Sequence, residues 1–383
     1  MLRLRIHLLS VAGAASPPAA ASLSLHRLLP LSTAAASPAR FVAEDFLVTT
    51  CGLTPVQALK ASKRLSHLKP PSKPEAVLAF LADIGVAKAD VAAAIARDPQ
   101  LLCSTVDKTL APHNAQLRDI GLSRCQISNL ITIAPSVFRR TIEIQRLQFY
   151  LSFLGSYEKL HTALLRSRQL LCHDIERVVK PNISFLQQCG LTDCGIVKIF
   201  SLAARMVVLE PERVKEIVAC ADMLGVPRSS AMFKHALVTV YLISPKRVSA
   251  KLNFLKKALG WSEVELHTAV CKFPNILNFT EGRLCRVVNF LKVKVGLQPS
   301  YIVHRPSLLN YSMDKRLMPR HYILKILKAK GLVKENIDYF NVVCRTEKLF
   351  MKKFLDPYKE SVPGLADAYA SASAGQIPPE IQP

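Results

Sequence analysis

Apolar residues recur at intervals of three and four through AVLAFLADIG (76–85), NISFLQQCG (182–190), LNFLKKALG (252–260) and VVNFLKVKVG (287–296). That spacing puts them on one face of an α-helix. Period-two alternation is absent, so no strands are expected. Each of these stretches closes on glycine, and nine of the 14 glycines fall at 52, 85, 121, 155, 190, 225, 260, 296 and 331, separated by 33 to 36 residues.

The residues around each glycine read as helix punctuation. Gly supplies a left-handed helix end, an apolar neighbour such as Leu53, Val86, Leu191 or Trp261 packs back on the last turn, and Ser or Thr caps the next helix. TPVQ at 54–57 and SEVE at 262–265 have the form of capping boxes. About 14 residues after the Gly comes a second marker, PQLL at Pro99, PSVF at Pro135, PNIL at Pro274 and PSLL at Pro306. Proline disfavours helical geometry in the residue before it, and the apolar pair that follows can dock a short turn on the core. Arg168, Arg205 and roughly Val240 stand at this place in other units. One unit is therefore helix, Gly turn, helix, Pro turn. Such a unit cannot bury its apolar faces alone, so the pattern predicts an all-α superhelical solenoid of helix-turn-helix repeats of about 35 residues.

The domain expectation is a repeat solenoid over 41–360 between a leader (1–40) and a flexible C-terminal tail (361–383). The first 43 residues contain no Asp or Glu, carry Arg3, Arg5, Arg27 and Arg40, and are rich in Ser, Ala and Leu. This is an organelle transit-peptide composition, and the basic, apolar opening MLRLRIHLLS places mitochondrion ahead of chloroplast. Ten cysteines without a C-x-x-C pair read as small core residues in a reducing compartment. No uninterrupted apolar run reaches transmembrane length, so a membrane partner is not expected.

His161 and His267 share a Leu-His-Thr-Ala context at a separation of 106 residues, close to three repeat periods. Repeat descent explains the likeness, and both are expected to be structural. No glycine-rich phosphate loop, G-x-S-x-G or H-E-x-x-H motif is present. The chain is expected not to be an enzyme and to need no metal or cofactor.

Lys and Arg number 51 against 28 Asp and Glu, a formal charge of +23, which points to a polyanionic partner. The cations are also ordered. Arg146, Lys180, Lys215, Lys251, Arg286 and Arg320 lie 9 to 11 residues before successive glycines, and Lys108, Arg177, Arg213, Arg247, Arg283 and Arg316 lie 12 to 15 before. Pairs three or four apart share a helical face, so these positions predict a basic stripe near the N-terminal ends of the first helices. Lys and Arg are also common on solvated helix faces. Against that reading, a cation at a helix N-terminus opposes the macrodipole, so its retention there points to phosphate binding.

The period, the P-x-[IL]-L turn and the FL-x-x-x-G-apolar close together resemble the mTERF family, the mitochondrial transcription termination factors, most closely its plant organelle branch, over about residues 41–358. Tetratricopeptide and pentatricopeptide repeats share the period but not these markers. The resemblance implies a left-handed solenoid whose concave, basic face tracks double-stranded DNA in termination or regulation of organelle transcription, and the chain is expected to be a monomer. The alternative is structured RNA, in intron splicing or ribosome assembly. The degenerate middle Pro markers and the short span from Gly296 to Pro306 depart from the family pattern.

Overall fold

The computed structural model describes residues 43–65 and 72–376. The expected leader lies outside the described residues. Among those described, every regular element is helical and there is no strand. Helix pairs follow one another from Ala43–Thr49 with Pro55–Ser62 to Glu281–Asn289 with Pro299–His304. All nine periodic glycines have positive φ, between 66° and 90°. An L side chain rarely adopts that conformation, so glycine at a fixed period is what lets each pair turn back on itself. The boxes expected at Thr54/Gln57 and Ser262/Glu265 are both formed, and Ser123/Gln126 adds a third.

Second helices stack on one another, Lys88–Arg97 on Arg124–Ile133, then Tyr157–Arg166, Asp193–Val207 and Phe233–Ile243. First helices form a parallel row, for example Ala111–Asp119 against Thr141–Leu154 and Pro211–Met223 against Pro245–Leu259. The Pro markers are 3-10 turns, Pro99–Cys103, Pro135–Phe138, Pro274–Asn278 and Pro306–Asn310. Their apolar pairs Leu101/Leu102, Val137/Phe138, Ile276/Leu277 and Leu308/Leu309 are all buried. At about 1.5–3 kcal/mol per buried side chain, each turn is a core element. Arg168–Cys172 forms the same turn without proline, using Leu170 and Leu171.

Two middle units end differently. Asp193–Val207 breaks at Ala203 (φ −152°, ψ 55°) rather than closing in a turn. Phe233–Ile243 joins Pro245–Leu259 through Ser244 alone, at φ 70°, ψ 138°. Pro245 demands extended ψ of the residue before it, and a positive φ on a non-glycine residue costs on the order of 1–3 kcal/mol. Buried Thr239, which donates to Asn275 Oδ1 at 2.8 Å in the following turn, helps to hold that junction.

Three first helices start with a single π turn, Val106–Leu110, Ile175–Val179 and Met313–Leu317. Pro112, Pro181 and Pro319 follow at once, inside the first turn of Ala111–Asp119, Lys180–Gln188 and Met318–Ala329. A proline ring clashes with the carbonyl four residues back and has no N–H to give it, so the turn widens by one residue.

Two expectations change. Residues 365–373, inside the presumed flexible tail, form a helix packed on Met318–Ala329, with Leu365, Tyr369 and Ala372 buried and Tyr369 Oη donating to Glu347 Oε1 at 2.7 Å. Only Cys51 and Cys189 are buried, whereas Cys103, Cys125, Cys172, Cys194, Cys285 and Cys344 are exposed. The shortness of a cysteine side chain did not place it inside.

Candidate nucleic-acid interface

The stripe residues do not share one role. Arg320 is fully buried: its Nη1 donates to the carbonyls of Val342 (3.0 Å), Val343 (3.0 Å) and Arg345 (2.8 Å), and its Nη2 lies 2.8 Å from Glu347 Oε2. Its guanidinium also lies over the Phe350 ring, 4.4 Å from the centroid. Arg320 cannot meet a phosphate, and the expectation for it is corrected.

Arg146, Lys251 and Arg283 are half-buried and do related work. Arg146 Nη1 donates to Leu171 O at 2.8 Å, Lys251 Nζ to Phe279 O at 3.2 Å, and Arg283 Nη2 to Asn310 O at 2.7 Å while stacking on Phe279. Uncharged residues fill the same place elsewhere, with buried His113 Nδ1 2.8 Å from Phe138 O and buried Asn182 Nδ2 2.9 Å from Val207 O. The last carbonyls of a helical turn lack intrahelical partners, and a side chain from the first helix of the unit supplies them. A cation at a helix N-terminus therefore need not imply a phosphate: its counterpart here is the carbonyl end of the neighbouring turn.

Arg177, Lys180, Arg213, Lys215, Arg247 and Arg286 remain exposed. Lys180 pairs with Glu176 at 2.5 Å, Lys215 with Glu212 at 2.8 Å, Arg213 with Glu216, and Arg286 approaches Asp314 at 3.8 Å. Exposed pairs of this kind are worth about 0–1 kcal/mol and exchange readily for another anion. Arg177 and Arg247 make no ion pair among the described residues. Arg316 is half-buried with its guanidinium 5.2 Å from the Tyr311 ring centroid.

The π turns place together cations that counting from glycine gave at 108 and 177, and add Lys315. Asp107-Lys108, Glu176-Arg177 and Asp314-Lys315 occupy the same two positions of the three widened turns, and all three cations are exposed. The acid suits the positive end of the helix, and the cation beside it faces solvent. The proline that follows each was visible in the sequence. Among the described residues no group of three His, Cys, Asp or Glu side chains is placed to hold a metal. No described helix is long and apolar enough to cross a membrane. The two repeated histidines pack locally, His161 beside the Tyr157 ring (5.8 Å between centroids) and His267 over Gly225.

Repeating helix pairs, a docked turn in most units and a charged edge define a helical-repeat protein, and residues 64–351 match the mTERF family model. The chain belongs to the mTERF family. It is 22% identical over 262 residues to the chloroplastic transcription termination factor MTERF8 of Arabidopsis thaliana, covering 67% of this chain and 51% of that one. It is 19% identical over 247 residues to the mitochondrial transcription termination factor MTERF15 of the same plant, covering 64% and 55%. The chain thus spans about half the length of the curated relatives it matches.

Proposed function

We propose that the chain is an organelle nucleic-acid-binding protein that holds double-stranded DNA, in regulation or termination of mitochondrial transcription, and that it acts as a monomer by binding rather than catalysis. The observation that carries this reading is the exposed row: Lys108, Arg177 and Lys315 repeat at one position of three widened turns, with Lys180, Arg213, Lys215, Arg247 and Arg286 at the same helix ends between them. Cations recurring at one end of most structural units suit a ligand with recurring phosphates, whose counterions they release. The formal charge of +23 and the transcription-factor names of both relatives support the same partner.

Competition between a duplex DNA and a structured RNA of equal length for the purified chain tests it. Preference for the duplex at matched salt supports the reading, and preference for the RNA replaces it with the RNA alternative. Mitochondrial import of a reporter carrying residues 1–45 is the expected result for the leader, and import into plastids alone would reassign the compartment.

A further inference from the structure

Across the turn edge of the first four units runs a groove of about 750 Å³. Six cations line it, Lys60, Arg64, Arg97, Arg139, Arg140 and Arg168, against two carboxylates, Asp98 and Glu143. Both carboxylates are already matched. Arg139 holds Asp98 through two hydrogen bonds, Nε to Oδ2 at 2.7 Å and Nη2 to Oδ1 at 3.2 Å. Glu143, only 1% exposed, accepts from Ser136 Oγ at 2.6 Å and faces Arg140 Nη1 at 3.5 Å. Lys60, Arg64, Arg97 and Arg168 have no carboxylate within ion-pair reach among the described residues, and all four are exposed, although Arg97 Nη1 also donates to the backbone carbonyl of Thr132. Burial, and after it the charge of Arg168, pushes the Arg97 guanidinium below its ordinary value.

The lining repeats with the fold. The turns beginning at residues 99, 135 and 168 each bring an uncharged hydrogen-bonding side chain at their second position, Gln100, Ser136 and Gln169, beside their cations. A ligand that fits three such steps carries repeated anionic and hydrogen-bond-accepting groups. No aromatic residue lines the groove, so it offers no platform on which a base could stack. Arg140 is the residue that precedes helix Thr141–Leu154, and Glu143 lies in its first turn. The groove therefore sits at the same helix ends as the exposed row that starts at Lys108, in the units where the stripe read from the sequence offered only Lys108 and Arg146.

We infer that this groove seats the sugar–phosphate backbone of a nucleic acid, extending the phosphate path to the first unit. The inference rests on the nucleic-acid-binding reading above and names a part of the surface which that reading does not require. Backbone contacts of this kind fix register without reading bases.

The test measures affinity for a 30-base-pair duplex as a function of salt with the full chain, a groove variant (R64A/R97A/R168A) and a row variant (R177A/R213A/R247A), each checked by thermal melting. The groove variant should bind at least tenfold more weakly, with the slope of log K against log salt reduced by about 2–3 units, roughly one per lost phosphate contact. An unchanged slope and affinity in the groove variant, beside a loss in the row variant, overturns the groove assignment and leaves the general reading standing. Unchanged binding in both overturns the general reading as well. Should the triple variant melt early, K60A/R64A, whose side chains pair with no described residue, carries the test: a slope reduced by about 1–2 units supports the seat, and an unchanged one overturns it.

Discussion

Arg146 Nη1 donates to the backbone carbonyl of Leu171 at 2.8 Å, across 25 residues of chain. The same separation links His113 to Phe138 and Asn182 to Val207, and separations of 22 to 28 link Arg320, Lys251 and Arg283 to their carbonyls. One polar residue on the first helix of a unit thus ties down the end of its second half, where the next unit begins.

The strongest of these ties is Arg320. Replacing it by Ala would leave three carbonyls without their buried donor, and unfolding free energy should fall by about 2–4 kcal/mol. Arg320→Lys should recover only part of the loss, because an ammonium cannot span the fork that reaches Val343, Arg345 and Glu347 together. Chemical denaturation followed by circular dichroism measures both, and a loss below 0.5 kcal/mol for the Ala variant would contradict the assignment.

Gly225 has φ 72°, and a Cβ built on it would lie 2.1 Å from His267 Cε1. Gly260 has φ 66° with nothing within 4 Å of its Cβ position. Gly260→Ala should therefore cost only the left-handed conformation, about 1–2 kcal/mol, while Gly225→Ala should cost that and the displacement of the exposed His267 ring. Adding His267→Ala to the latter should recover the excess. Equal melting shifts for the two single variants would show that the imidazole does not constrain the glycine.

His321 lies edge-on to Phe290 and Tyr339, with ring centroids 5.7 and 6.1 Å away. Burial first, then the charges of Lys325 and Lys328, pushes its pKa from 6.5 to about 4, although Glu335 and Asp338 line the same cavity. Between those values the unfolded chain binds a proton that the folded chain refuses. Stability is thus full above pH 6.5 and declines as pH falls toward about 4. His321→Gln should flatten that part of the stability–pH curve. A curve of unchanged slope in the variant would place the pH dependence elsewhere.

The repeat was legible because its punctuation is local. A left-handed glycine, a capping Ser or Thr and a Pro-initiated turn each act within a few residues, so the period survives in the sequence even where Arg168 replaces the proline. The π turns were written there too, in Pro112, Pro181 and Pro319, but their effect falls on the residues before them. The interface was harder to read. Arg320 and Arg286 both precede a glycine by about ten residues, yet one is wholly buried and the other exposed. What separates them is the carbonyl end of a turn more than 20 residues later, which helical periodicity does not encode. The groove escaped for the same reason: Lys60, Arg97, Arg140 and Arg168 hold different places in their units, and only stacking brings them together.

The central claim is that an ordered row of exposed cations, and not net charge, holds the nucleic acid. The direct measurement is the salt dependence of duplex DNA affinity for two charge-matched variants, R177A/R213A/R247A on the row and K88A/K159A/K334A, three exposed lysines next to the Gly turns. The row variant should lower the slope of log K against log salt by about 2–3 units with base selectivity preserved, and the lysine variant should change it by less than about one. Equal losses from both sets would contradict the account and leave diffuse charge as the source of binding.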